Sequence, residues 1–146
     1  MYLAILKVFE AFGLSKIAQF YSLRITSSLV SGLVEIGFIN SISKAFNPSV
    51  SRYLKIMLIF SPGMFIAAPS YLPSSFAMVF VTLAYTGWFN DWQLTQVVGG
   101  LGVGSLLGWP FAAAIGIPFA IKFLLESRFL KLIKVALIFF FSIMVI

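Results

Sequence analysis

Residues 97–122 read VVGGLGVGSLLGWPFAAAIGIPFAIK, and the first charge among them is the last residue, Lys122. As one straight helix rising about 1.5 Å per residue, a stretch of this length would cover the roughly 30 Å hydrocarbon core of a bilayer. Its small residues recur at every fourth position: Gly100, Gly104, Gly108, Ala112, Gly116 and Ala120. Four-residue steps keep them on one slowly turning helix face. In a membrane such a face lets a neighbouring helix approach closely, so that packing replaces the missing hydrophobic force. The plainer alternative is that glycine is simply commoner in membrane helices. Pro110 and Pro118 interrupt the run, each removing an amide donor and crowding the preceding turn. Open backbone is tolerated at membrane depth only inside protein or beside a wet cavity. Gly108-Trp109-Pro110 is therefore expected to be either a break between two short helices or a kink facing the interior.

The rest of the 146 residues has the same character: 61% hydrophobic, 10% charged, with a mean hydropathy of +1.07. No soluble domain of this size needs so much apolar surface, and long uncharged runs mark membrane spans. The formal net charge is +6, but the cations sit in short clusters between apolar runs. That is the positive-inside pattern of a membrane protein and excludes a nucleic-acid patch. Within these residues there is no cysteine and no histidine. Disulfides, Cys/His metal sites and an imidazole base are therefore excluded. Lys7, Glu10 and Lys16 interrupt the N-terminal apolar residues too often for a signal peptide. The expected fold class is all-α: a polytopic membrane helix bundle of short, proline-broken helices, forming a single unit over residues 1–146.

Taken in order, Tyr2–Lys16 reads as a short amphipathic helix lying in the membrane interface, ended by Gly13. Residues 17–146 are expected to supply transmembrane helices. Ile17–Phe46 is the first full span and contains Arg24 and Glu35. Eleven residues apart, they share a face but are separated by about 16 Å along the axis. They cannot pair directly, so each needs a partner on another helix, unless Arg24 snorkels to the surface. Thr26, Ser27, Ser28 and Ser31 carry hydroxyls that can bond back to the helix or across to a neighbour. Ser43–Lys55 reads as a basic, cytosolic loop with Lys44, Arg52 and Lys55, in which Asn47-Pro48-Ser49 marks a turn and a new helix start. Ile56–Asn90 carries no charge. Punctuated by Ser61-Pro62-Gly63, Pro69 and Pro73, it reads as a helix to about Ala68, a loop over 69–75, and a helix from Phe76 to Phe89. Ser74 or Ser75 would cap that last helix. Trp88 brings the chain to an interface, and Asn90-Asp91-Trp92 turns it. Leu125–Lys134 is basic again, and the final run, Val135–Ile146, is too short to span.

Both basic stretches lie on one side if an even number of crossings separates them. Two long crossings satisfy this, as do four short ones with reversals at 69–75 and 108–110. The prolines favour four, because they coincide with the expected reversals.

Two segments, SPGMFIAAPSYLPSSFAM (61–78) and LLGWPFAAAIGIPFA (106–120), resemble the dolichol-phosphate-mannose-dependent α-1,2-mannosyltransferases that extend the lipid-linked precursor of N-glycans. TGWF at 86–89 and FYSLR at 20–24 followed by Glu35 fit the same register. The resemblance runs from about Phe20 onward, and LPSSF with LGWPF at this spacing is its most specific part. Mannosyltransferases that build GPI anchors share the fold but differ around the Gly-Trp-Pro turn, and they stand as one alternative. A non-catalytic membrane module for helix packing or transport is the other, suggested by the small-residue ladder and the intramembrane Glu35.

The resemblance implies a multi-pass protein of the endoplasmic reticulum membrane and a GT-C-type transmembrane module. It also implies mannose transfer from dolichyl-phosphate-mannose, which is a donor substrate, to a dolichol-linked oligosaccharide acceptor. No cofactor or metal is expected, and membrane lipid is an expected partner. In that family the catalytic carboxylates lie in the first lumenal loop, for which nothing before Phe20 is a match. The carboxylates present are Glu10, Glu35, Asp91 and Glu126, and none is placed as a catalytic base. The chain is thus expected to be a central fragment, inactive alone and holding no catalytic residue. Its substrate-binding candidates are Tyr71, Ser74, Ser75 and Trp109. The serines offer hydroxyls and helix-start amides to a phosphate, and Trp109 can line the same groove. The blander alternative is that the serines cap a helix and Trp109 anchors an interface.

Overall fold

The computed structural model describes residues 15–70, 72–90, 94–125, 133–134 and 137. The expectations for the amphipathic segment 2–16 short of its end, for the turn at 91–92, for the basic stretch 126–132 and for the bulk of the last run lie outside those residues. So do Tyr71, Glu10, Asp91 and Glu126.

Every element among the described residues is helical. α1 spans Lys16–Ala45, α2 Pro48–Ile59, α3 Pro62–Ala67, α4 Pro73–Phe89 and α5 Leu94–Val103. α5 continues into a π-helical turn, Gly104–Gly108, and α6 (Ala112–Ile115) and α7 (Ile117–Leu125) follow. α1 begins where the Ser15 hydroxyl accepts from the Ala18 amide at 3.3 Å. It is the one described helix long and apolar enough to cross a membrane, at about 45 Å by its 30 residues.

The expected loop over 43–55 is nearly all helix. Only Phe46 and Asn47 lie between α1 and α2. Asn47 accepts from the Ser49 amide at 3.1 Å, and Pro48 sits where a helix has no use for an amide donor. Together they restart the helix at once, so the basic residues ride on helices. The expected helix up to Ala68 is instead two helices, because Pro62 restarts the chain after a break at Phe60–Ser61. α4 likewise starts three residues before the expected Phe76. Pro73 is its first residue, Leu72 stands at the cap and no side chain caps it. The capping role expected of Ser74 or Ser75 is therefore wrong: both lie inside the first turn.

The chain runs up, down, up, down and up. α1 and α4 are parallel: Leu23 shares a cavity with Phe76, the Phe38 and Tyr85 rings lie 6.5 Å apart, and those of Phe46 and Phe89 5.5 Å. α2 and α3 make the return from one to the other, with Val50 and Leu54 across a groove from Phe38 and Ile42. α5 descends antiparallel to α4. Gln96 lies against Gly87, Gly100 against Phe80 and Ala84, Gly104 against Ala77, and Gly108 against Phe76 and Ala77. The close-packing face expected from the small residues is thus real over this half.

At Trp109 the run breaks. The Trp109 amide donates five residues back to the Gly104 carbonyl at 3.0 Å, and its backbone is extended, as a residue before proline prefers. Of the two expectations for Gly108-Trp109-Pro110, the break holds. The ladder divides there, and Gly116 faces Leu101 across the hairpin instead of α4. Pro118 is the second residue of α7, where its missing donor costs no hydrogen bond. α7 folds back on α5, burying Phe119 and Phe123 with Val97, and Tyr85, Trp88 and Leu101 pack around them. The Trp88 and Phe119 rings meet edge to face at 4.4 Å, a geometry worth about 0.5–1.5 kcal/mol beyond area burial.

The outer surface is strongly apolar. Leu33, Met57, Phe60 and Phe65 are each more than two-thirds exposed. A monomer in water does not leave so many large side chains uncovered, and lipid or further protein is their natural environment.

Candidate functional site

The up-and-down course sorts the connections to two ends. The Phe46–Asn47 turn, Asn90 and Lys122 lie at one end, and Lys122 sits over the Trp88 ring at 5.1 Å. Ala68–Leu72 and Trp109–Phe111 lie at the other, since Gly108 packs on Phe76 and Ala77 at the start of α4. Three of the four predicted site residues are therefore brought to one end: Ser74, Ser75 and Trp109. Tyr71 is outside the described residues.

A cavity of about 130 Å³ opens at that end between α1, α4 and the turn joining α3 to α4. Leu23, Ser27 and Val30 line it from α1, Ser75, Phe76, Val79 and Phe80 from α4, and Ala68 and Ser70 from the turn. Its walls are mostly apolar, and its size is close to the roughly 150 Å³ that holds a benzene-sized ligand.

The polar edge of this cavity is a hydroxyl pair. Ser75 is buried, and its Oγ lies 2.5 Å from that of Ser70. Ser70 donates to the Ala67 carbonyl at 2.7 Å. A hydroxyl has one proton, so Ser75 is the donor in the pair. The two serines thereby tie the start of α4 to the end of α3 and hold the turn closed. Ser74, by contrast, is exposed. Trp109 is also exposed, and its ring stacks near Phe111 at 6.2 Å; it is not among the residues lining the cavity.

Arg24 and Glu35, within α1, meet neighbours on that same helix. Glu35 is half-buried and accepts from the buried Ser31 hydroxyl at 3.1 Å. The partner expected on another helix is, among the described residues, one turn away on the same one. Arg24 is exposed, with its guanidinium 5.6 Å from the centre of the Phe20 ring. The helix hydroxyls mostly bond back: Thr26 to the Ser22 carbonyl at 2.8 Å and Ser28 to that of Arg24 at 2.9 Å. The cross-helix contact that residue-type reasoning missed is Gln96, whose Nε2 donates to the Leu83 carbonyl at 3.2 Å. A lone amide side chain in an apolar segment was the signal for it. Among the described residues no group of three His, Cys, Asp or Glu side chains is placed to hold a metal.

The described residues define a class: all-helical, with proline-broken helices and a strongly apolar surface. The sequence comparisons narrow it, for the model of the Alg9-like mannosyltransferase family matches residues 1–146, and the chain belongs to that family. The match also covers residues 1–19, which corrects the expectation that the chain departs from the family before Phe20. Among curated relatives, the human alpha-1,2-mannosyltransferase ALG9 is 40% identical over 114 residues, covering 78% of this chain and 18% of the relative. The Schizosaccharomyces pombe alpha-1,2-mannosyltransferase alg9 is 35% identical over 119 residues, with 80% and 21% covered. The Arabidopsis thaliana protein of the same description is 31% identical over 115 residues, with 79% and 20% covered. The chain thus spans about a fifth of the length of the curated relatives it matches. No solved structure matches it.

Proposed function

We propose that this chain forms the donor-side part of a mannosyltransferase. The enzyme transfers mannose from dolichyl-phosphate-mannose to the lipid-linked oligosaccharide precursor of N-glycosylation. The observation that carries the reading is the apolar cavity closed at one end by Ser70 and Ser75, in a chain whose relatives are described as alpha-1,2-mannosyltransferases. An isoprenoid chain suits the apolar walls, and a sugar phosphate suits the end where Ser74 and the first-turn amides of α4 lie. Trp109, at the same end, offers a flat apolar surface to the sugar or to the lipid interface.

The chemistry is an inverting displacement. The acceptor hydroxyl oxygen bonds to the anomeric carbon, the bond from that carbon to the phosphate oxygen breaks, and dolichyl phosphate leaves. A carboxylate takes the hydroxyl proton, and positive charge or amide donors stabilise the leaving phosphate. None of the four carboxylates in these residues is assigned as that base. The end holding the cavity faces the lumen of the endoplasmic reticulum and the basic end faces the cytosol, by the positive-inside rule. The helices cross a GT-C-type membrane module several times.

The test is a transfer assay with dolichyl-phosphate-mannose and the lipid-linked acceptor. It compares the 146 residues alone with a version joined to the family's acidic first loop. Transfer is expected only from the joined version, because a general base is worth about 10²–10⁴-fold and the loop also positions the acceptor. Transfer by the 146 residues alone would make Glu10 or Glu35 the base. A packing or transport module, the second reading, would show no transfer in either form.

A further inference from the structure

Three stretches of the chain turn large apolar side chains outward between well-marked ends. On α1, Ile25, Leu29, Leu33 and Ile36 are each more than half exposed, and the exposed Arg24 and Asn40 bracket them. On α2 and α3, Ile59, Phe60, Phe65 and Ile66 are each more than two-thirds exposed, and they lie between the exposed Lys55 and Ala68 at the cavity. On α6, α7 and the turn before them, Phe111, Ile117 and Ile121 are more than half exposed, between Trp109 and Lys122.

The ends of these stretches stand at two common levels. Leu23, beside Arg24, shares the cavity with Ala68 and Phe76, and Gly108, beside Trp109, packs on Phe76. At the other end Leu54, beside Lys55, shares a groove with Phe38, Ile42 and Tyr85, and Asn40 falls between Phe38 and Ile42. Tyr85 meets the Phe119 ring at 5.0 Å, one turn before Lys122, and Lys122 lies over the Trp88 ring. Tryptophan at both levels is what a membrane–water interface favours. Helical rise turns the spacings into heights: about 24 Å from Arg24 to Asn40, and about 20 Å both from Lys55 to Ala68 and from Trp109 to Lys122. An average hydrocarbon core is about 30 Å thick, and that of the endoplasmic reticulum about 27 Å.

We propose that this surface fits a thin bilayer, one of short or unsaturated acyl chains and little sterol, and that it thins a thicker bilayer around itself. Lipid is the partner because a bilayer ends at the same two levels on every helix it touches, as these three stretches do. The inference rests on the reading that the helices cross a membrane and adds the thickness that they match. A span shorter than its bilayer is accommodated at a cost that grows with each ångström of mismatch, so stability should report the fit.

The experiment reconstitutes the whole 146-residue chain into phosphatidylcholine vesicles with monounsaturated chains of fourteen to twenty-two carbons and follows thermal unfolding. The native Tm should be highest at fourteen or sixteen carbons and about 4 °C or more lower at twenty-two. Asn40→Leu combined with Lys55→Leu extends the belt at its basic edge and should move the highest Tm to chains at least two carbons longer. A native Tm that is equal at all lengths, or highest at eighteen carbons or more, would overturn the proposal and leave the membrane-crossing reading intact. So would a double variant that folds but keeps the native optimum, since Asn40 and Lys55 would then not mark the edge. A chain stripped from every vesicle by alkaline carbonate would overturn the membrane-crossing reading itself.

Discussion

The α-carbon of Gly100 faces the carbonyl oxygen of Phe80 so closely that a Cβ added there would lie 2.6 Å from it. Backbone cannot retreat as a side-chain tip can, so the α4–α5 crossing depends on the missing side chain. Gly104 and Gly108 continue the contact, where a Cβ would lie 3.3 Å and 3.1 Å from its nearest neighbours. Gly102, two residues on from Gly100 and turned to the opposite side of the helix, has nothing within 4 Å.

Gly100→Ala should therefore separate α4 from α5 and destabilise the chain by about 1–3 kcal/mol, the scale of overpacking a filled core. Gly102→Ala should be neutral or stabilising, since alanine gains up to about 1 kcal/mol of helix propensity. Thermal unfolding in detergent measures both. Equal effects would mean that the glycines are not a packing face.

Gln96→Leu keeps the packing near Gly87 but loses the hydrogen bond to the Leu83 carbonyl. A loss of about 0.6 kcal/mol is expected, the mean for hydrogen bonds between membrane helices. Gly87→Ala should cost more, because its Cβ would sit 2.8 Å from that of Gln96. Reversal of this order in unfolding measurements would count against the crossing described.

Ser75→Ala removes the donor that ties Ser70 to the start of α4. A loss of about 1 kcal/mol is expected, with faster proteolysis at the turn over 68–72. Ser74→Ala, on an exposed residue, should leave both unchanged.

The chain has no cysteine, so single cysteines report its sidedness cleanly. A cysteine at Asn47 should react with a membrane-impermeant maleimide from the cytosolic side of microsomes, and one at Leu72 only after the membrane is opened. The opposite pattern would invert the orientation.

What was legible in the sequence came from spacing and from proline. The four-residue ladder announced the α4–α5 contact, and Pro110 announced the break, because each rests on local sterics. The division of the ladder at that break was not legible, since it depends on where α7 lands. Asn47 and Pro48 signalled a helix start, but not that only two residues would separate α1 from α2. The cap of α4 was misread because Pro73 starts the helix earlier than its serines could. Ser75 and Trp109 were chosen by residue type. The bond from Ser75 to Ser70 and the position of Trp109 outside the cavity depend on how α3, α4 and α5 meet, which no local pattern encodes.

The central claim is that these residues form the donor side of a mannosyltransferase. The most direct measurement replaces the matching stretch of about 119 residues in the Schizosaccharomyces pombe relative with this chain and assays mannose transfer from dolichyl-phosphate-mannose in membranes. The account predicts transfer by the chimaera at a protein level like that of the unaltered relative. A chimaera that folds and inserts normally but transfers no mannose would contradict it.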